Sequence, residues 1–308
     1  MYRFEKLLVN LSLTEKDAPL IKFASVITKL ACSESIHFIY SREPVEIPSN
    51  LQKQYPWLIE PISSSAKTKA DEIISKYYDG YPDCSVTVEI LEKQPTVALL
   101  EHSLKSKIDL IISGESPDDR SVAVKLARKA PCSLLFVPPE SSGNFSKVCL
   151  GLDMSSYSYY AIDIATAFSK ANGVKEIDCI NYYNIPTGYH KTNIPKEEIR
   201  KDLEIFSEEK LKKFLSDQNL RGVQANAVTK ESHCPGIALR ILADNEDYDL
   251  AVVGCRGKDA LTATLLGSNA EDIIKNSKKC AVLAVKEKGT GISFLENLMG
   301  LKTSGNLF

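Results

Sequence analysis

Five residues late in the chain have types and spacing that suit phosphate chemistry. Val253-Gly254-Cys255-Arg256-Gly257 is followed by nine residues and then Gly267-Ser268, a Gly-x2-Gly-x9-Gly-Ser pattern. Gly254 and Gly257 carry no Cβ, so their backbone can lie flat against a bound molecule. Gly267 and Ser268 open a helical run, where free N–H groups and a hydroxyl favour an anion because first-turn amides lack internal acceptors and the dipole is positive there. An ordinary glycine turn followed by a serine cap explains the same spacing equally well. Position at the end of an apolar strand favours the binding reading.

Asp153 closes another apolar run, Lys147-Val-Cys-Leu-Gly-Leu-Asp153. A carboxylate at a sheet's carboxyl edge can accept hydrogen bonds from a ribose hydroxyl or an exocyclic amine, or it can cap the turn over Ser155–Ser158. Arg256 and Lys258 could neutralise phosphate, although loop cations are more often simply solvated. Cys255, inside the glycine loop, reads as a small buried residue more readily than as a sensing thiol. His37, His102, His190 and His233 lie in unrelated segments without metal spacing, which predicts packing or solvent exposure and no metal. The eight cysteines include no C-x-x-C pair and are expected to be reduced thiols.

The elements that must position these residues are written twice. Lys6–Ser12 lies over Lys147–Asp153, and helical-period segments follow at about 16–30 and 157–171. Strands Ile36–Tyr40 and Ile177–Tyr182 come next, then helices near 63–78 and 195–217, then strands Ser85–Leu91 and Val223–Val228. Pro95-Thr-Val-Ala-Leu-Leu matches Pro235-Gly-Ile-Ala-Leu-Arg, with Pro in the first helical turn. Ile108–Gly114 answers Tyr248–Gly254, and Cys132–Val137 answers Cys280–Val285. Strands apolar on both faces, alternating with helices, predict two tandem doubly wound parallel α/β domains of Rossmann-like type. The expected division is 1–144, 145–286 and a tail at 287–308, with Pro138–Ser146 as linker. Ile292, Leu295, Leu298, Met299 and Leu301 give that tail a short apolar face.

The two halves diverge where a ligand would sit. Gly114 to Cys132 spans 18 positions against 26 from Gly254 to Cys280, Pro117 stands where Gly257 does, and Ser12 replaces Asp153. Asp118 and Asp119 make an acidic helix start that would repel phosphate. No nucleotide is expected in the first half.

The segment Gly254-Cys-Arg-Gly257 … Leu-Leu-Gly267-Ser268-Asn-Ala-Glu-Asp-Ile-Ile resembles the nucleotide-binding signature of the universal stress protein family. In element order the likeness covers nearly all of residues 1–286, as in a tandem member with an adenine nucleotide alpha hydrolase-like fold. The resemblance implies ATP or another adenine nucleotide in the second domain: Asp153 holding the nucleoside with Gly151 beside it, and Tyr182 bordering the adenine. It places Val253, Gly254 and Gly257 along ribose and phosphates, and Gly267, Ser268 and Asn269 at the phosphate tail. It also implies an internal pseudo-dimer through the last strands, with a homodimer as a further option. A divalent cation such as Mg2+ could accompany a triphosphate, although no ligand cluster announces one.

The composition fits this reading. The 308 residues carry a net charge of −2, which argues against a polyanion-wrapping surface, and 44% hydrophobic with 25% charged residues is ordinary for a globular protein. No run approaches a membrane span and the N-terminus lacks an export pattern, so a cytoplasmic location without membrane or nucleic-acid partners is expected. No catalytic base, P-loop lysine or paired carboxylates appear, so the expected role is stress-responsive or regulatory binding, with slow hydrolysis at most. A nucleotide-free scaffold recruiting a protein partner is the alternative.

Overall fold

The computed structural model describes residues 4–43, 48, 51, 54, 63–115, 121–191, 193–255 and 266–287. The first half runs β1 (Lys6–Leu11), α1 (Asp17–Ala31), β2 (Ser35–Arg42), α2 (Ser63–Tyr77), β3 (Ser85–Glu92), α3 (Pro95–Lys105), β4 (Leu110–Gly114), α4 (Ser121–Lys129) and β5 (Ser133–Val137). The second repeats it as β6 (Val148–Gly151), α5 (Ser156–Ala171), β7 (Glu176–Tyr183), α6 (Lys196–Ser216), β8 (Gln224–Glu231), α7 (Pro235–Asn245), β9 (Leu250–Gly254), α8 (Ser268–Asn276) and β10 (Ala281–Val285). Asp109 accepts hydrogen bonds from the Glu5 and Lys6 amides, and Asp249 from those of Ser146 and Lys147, so an aspartate before the fourth strand ties down the start of the first in both halves.

Among the described residues, ten strands form one sheet in the order β3-β2-β1-β4-β5-β10-β9-β6-β7-β8. Every pairing is parallel except the central one, where Leu135 faces Leu283 in antiparallel register. The expected joining of the halves through their last strands is observed. β5 and β10 are buried throughout, as the apolar runs Leu-Leu-Phe-Val after Ser133 and Ala-Val-Leu-Ala-Val require.

Two apolar cores, one on each face, run through both halves. On one face Phe4 stacks on Phe168 at 5.5 Å and Phe145 meets Phe23 edge-on at 4.7 Å, so the end of the linker is part of the core. On the other, Arg128 of α4 bonds Glu271 of α8 at 2.5 Å. Lys286, only 5% exposed, donates from Nζ to the Ala130 carbonyl at 2.8 Å.

α6 buries a narrow stripe. Its inward stripe passes through Ser207, Leu211, Phe214 and Leu215, while Ile205 and Phe206 lie off that stripe and are exposed. No described helix is long and apolar enough to cross a membrane. The apolar tail face, Arg256, Gly257, Lys258, Asp118 and Asp119 all lie outside the described residues.

Candidate functional site

Strand order in the second half reverses between β6 and β9, which leaves a crevice beyond their carboxyl ends. A cleft opens there with about 600 Å³ of space shared with solvent, within the size range of small-molecule sites. Ile180, Leu239, Val253 and Ile273 give it an apolar floor, and the first turns of α7 and α8 form one wall. Six of the sequence-selected residues meet here: Gly151, Asp153, Tyr182, Val253, Gly254 and Asn269. Gly267 and Ser268 stand beside them as the N-cap and first residue of α8.

Gly151 is small because the floor is close-packed. A Cβ there would come within 2.5 Å of the Leu239 side-chain tip and 3.2 Å of Val253 Cγ1. Asp153 follows β6, and its Oδ1 accepts from the Ser155 amide at 2.9 Å and the Ser158 hydroxyl at 2.8 Å. The capping role is therefore real, and it fixes the carboxylate at the mouth of the cleft. Tyr182 is half-buried at the end of β7, where burial pushes its hydroxyl up to about 12, so it stays a neutral donor. Of the described residues lining the cleft, Asp153 is the one carboxylate. The chemistry this set offers is binding through apolar contact, a fixed acceptor and helix-end amides.

At α8 one expectation needs correcting. The Gly267 amide is engaged, because it donates to the Cys255 carbonyl at 2.7 Å and so closes the loop after β9 on itself. The amides of Ser268, Asn269 and Ala270 are the ones that by helix geometry lack intrahelical acceptors. The Asn269 side chain turns away to accept the Gly236 amide of α7 at 3.1 Å. Cys255 is 1% exposed, so the thiol is a buried filler.

Sequence reasoning did not pick out Asn181 or Gly236. Asn181 donates to the Leu152 carbonyl at 2.6 Å and braces the cleft rim; its twin is Tyr40, and no local pattern marks it. Gly236 lets α7 and α8 touch, since a Cβ there would lie 2.6 Å from the Asn269 Cα and 2.7 Å from its carbonyl oxygen. Its signal was present in the repeat, where Pro95-Thr96 stands against Pro235-Gly236.

The equivalent place in the first half is built differently. Ser12 occupies the position of Asp153, and Asp17 that of Ser158, so acid and hydroxyl have exchanged places. The hydrogen bond between them survives at 2.8 Å in both halves. The exchange moves the carboxylate from the strand edge to the helix base, where Asp17 is 2% exposed. Burial there pushes its carboxyl above the ordinary value, against the opposing hydrogen bonds from Ser12 and Leu13. Asn10 and Ser113 meet at 3.2 Å where the second half has Gly151 and Val253, so side chains occupy the corresponding strand ends.

A doubly wound α/β protein with a crevice at a topological switch point is the class that fold and cleft define. Residues 144–286 match the model of the universal stress protein family. No curated protein matches the chain. A functionally unknown protein from Pseudomonas aeruginosa PAO1 shares 16% identity, with 97% of this chain and 98% of that chain covered and a TM-score of 0.62. A universal stress protein from Archaeoglobus fulgidus DSM 4304 also shares 16% identity, over 92% and 98%, with a TM-score of 0.59. These likenesses establish the two-copy fold over nearly the whole chain. A universal stress protein in complex with cAMP aligns with 46% of this chain and 99% of its own length, at 21% identity and a TM-score of 0.34.

Proposed function

We propose that the unit 145–286 binds an adenine nucleotide, ATP or a related adenylate, in the cleft between β6 and β9, and that the unit 1–144 serves as its nucleotide-free structural twin. The observation carrying this reading is the convergence of Asp153, the small backbone at Gly254 and the first turn of α8 on a single apolar-floored cleft. The purine would lie over Ile180 and Val253 beside Tyr182. Asp153 would accept from the nucleoside, and the phosphates would run toward the α8 amides with Arg256 and Gly257 alongside. The acid–hydroxyl exchange between Asp153/Ser158 and Ser12/Asp17 supports one site per chain, because only the second half keeps a carboxylate at the strand edge. The role is binding in a stress-response or regulatory context, with Mg2+ accompanying a triphosphate.

Titration of labelled ATP against the full chain tests this. Wild type binds saturably at one site per chain, and Gly257→Asp abolishes binding by placing a negative charge and a Cβ in the phosphate path. Absence of saturable binding by wild type overturns the reading, as does a second equivalent site. Mass spectrometry of small molecules released from freshly purified, denatured protein identifies which adenylate is carried.

A further inference from the structure

The first half holds a polar cluster that its twin lacks. His37 on β2, Glu89 on β3 and His102 on α3 each present a ligand atom, and these atoms lie within 4.8 Å of one another. His37 and Glu89 project from neighbouring strands onto the face covered by α3, two residues out of step in register. His102 reaches down from α3: its Nδ1 is 3.8 Å from Glu89 Oε2, and the two imidazole centroids are 4.8 Å apart. The remaining nitrogen of each ring is held by a hydroxyl. Thr87 Oγ1 is 2.8 Å from His37 Nδ1, and Ser106 Oγ is 3.2 Å from His102 Nε2. This is the outer-shell arrangement that orients metal-binding histidines, with one nitrogen tethered and the other turned inward.

We propose that His37, Glu89 and His102 form a zinc site that clamps α3 to the outer strands β2 and β3. The set offers two imidazoles and one carboxylate, the nitrogen and oxygen donors that zinc accepts at roughly 2.0–2.2 Å, with water completing a tetrahedron. Those bond lengths bring donors to about 3.4 Å from one another, so small rotamer adjustments close the present spacing. Access is from the sheet edge, where the Glu89 side chain is 43% exposed and the His102 side chain 12%.

The fold itself does not require the cluster. At the matching positions the second half has Asp178, Val228 and Leu242, and there Asp178 accepts from Tyr248 at 2.6 Å and from Asn226 at 3.0 Å. Reading the histidines by spacing along the chain concealed the site, because β2, β3 and α3 come together only through the sheet and its crossover.

The test is competition for Zn2+ between the full chain and a chromophoric chelator, with Co2+ as a spectroscopic substitute. One equivalent of Zn2+ binds wild type, and His102→Leu and Glu89→Val, which install the twin's residues, each weaken it at least about tenfold. Co2+ gives a tetrahedral spectrum without a thiolate charge-transfer band. Because a variant could lose its fold, histidine ring nitrogen resonances of wild type provide an independent reading: Zn2+ shifts those of His37 and His102 and leaves those of His190 and His233 in place. No Zn2+ binding by wild type, a thiolate band, or unmoved His37 and His102 resonances overturns the proposal.

Discussion

At the residue scale, the most informative positions do two jobs. Asp153 holds the start of α5 through Ser155 and Ser158 while facing the cleft, so Asp153→Ala should cost stability and binding together. Losing the cap costs about 1 kcal/mol, read from the urea midpoint. Losing a hydrogen bond to a charged acceptor costs about 1.5–3 kcal/mol in nucleotide affinity, roughly ten- to a hundredfold in Kd. Normal stability loss with unchanged Kd would reduce Asp153 to a cap. Gly236 poses a purely steric question. In Gly236→Ala the new Cβ meets Asn269 backbone that cannot swing aside, and a loss of about 1–3 kcal/mol is expected, measurable as a lowered Tm.

At the scale of elements, helix starts and strand ends govern the cleft of the second half. α7 and α8 are locked tip to tip by the Gly236–Asn269 hydrogen bond, which presents two first turns to one crevice. In the first half, β2 and α3 bring two imidazoles together beside Glu89 of β3, so pH acts on how these elements pack. His37 and His102 are each pushed below their ordinary value of 6.5, first by burial; on His37 the neighbouring His102 and Lys6 add to this, on His102 Lys105 does, and Glu89 opposes it on both. A group with a lowered folded value binds fewer protons folded than unfolded, so stability is fully present above about pH 6.5 and is lost as pH falls through the lowered values. Metal-free wild type should therefore lose urea resistance below pH 6.5. His37→Asn with His102→Leu should flatten that part of the profile, and an unchanged slope would place the titration elsewhere.

At the scale of the whole molecule, the two halves share one sheet and both cores, which argues against independent unfolding. A single calorimetric transition is expected, and two resolved transitions would show that the β5–β10 seam is weak. Leu283 sits at the seam's centre opposite Leu135, so Leu283→Ala should cost about 2–5 kcal/mol by leaving a cavity. The Arg128–Glu271 pair crosses the same boundary nearer to solvent. Its hydrogen bond with Arg128 is the first cause holding Glu271 below its ordinary 4.5, and Lys275 adds to it. The pair's contribution is thus present above that value and lost on further acidification. Arg128→Ala should cost about 1 kcal/mol or less because the arginine is half exposed, and the cost should shrink as salt is added.

Much of this molecule was legible along the chain. Periodicity, the proline helix starts and the doubled order of elements expose two doubly wound halves, since buried parallel strands must be apolar on both faces and helices must carry a stripe. Six of the selected residues share the cleft for a related reason: in such sheets the strand ends converge by topology. Three dimensions alone decided the rest. Asn269 turning to Gly236, Gly267 closing on Cys255, and the meeting of His37 with Glu89 and His102 are contacts that local spacing does not encode. Hydrophobic pattern selects the elements, whereas hydrogen-bond partners are chosen only after packing has brought distant backbones within three ångströms of one another.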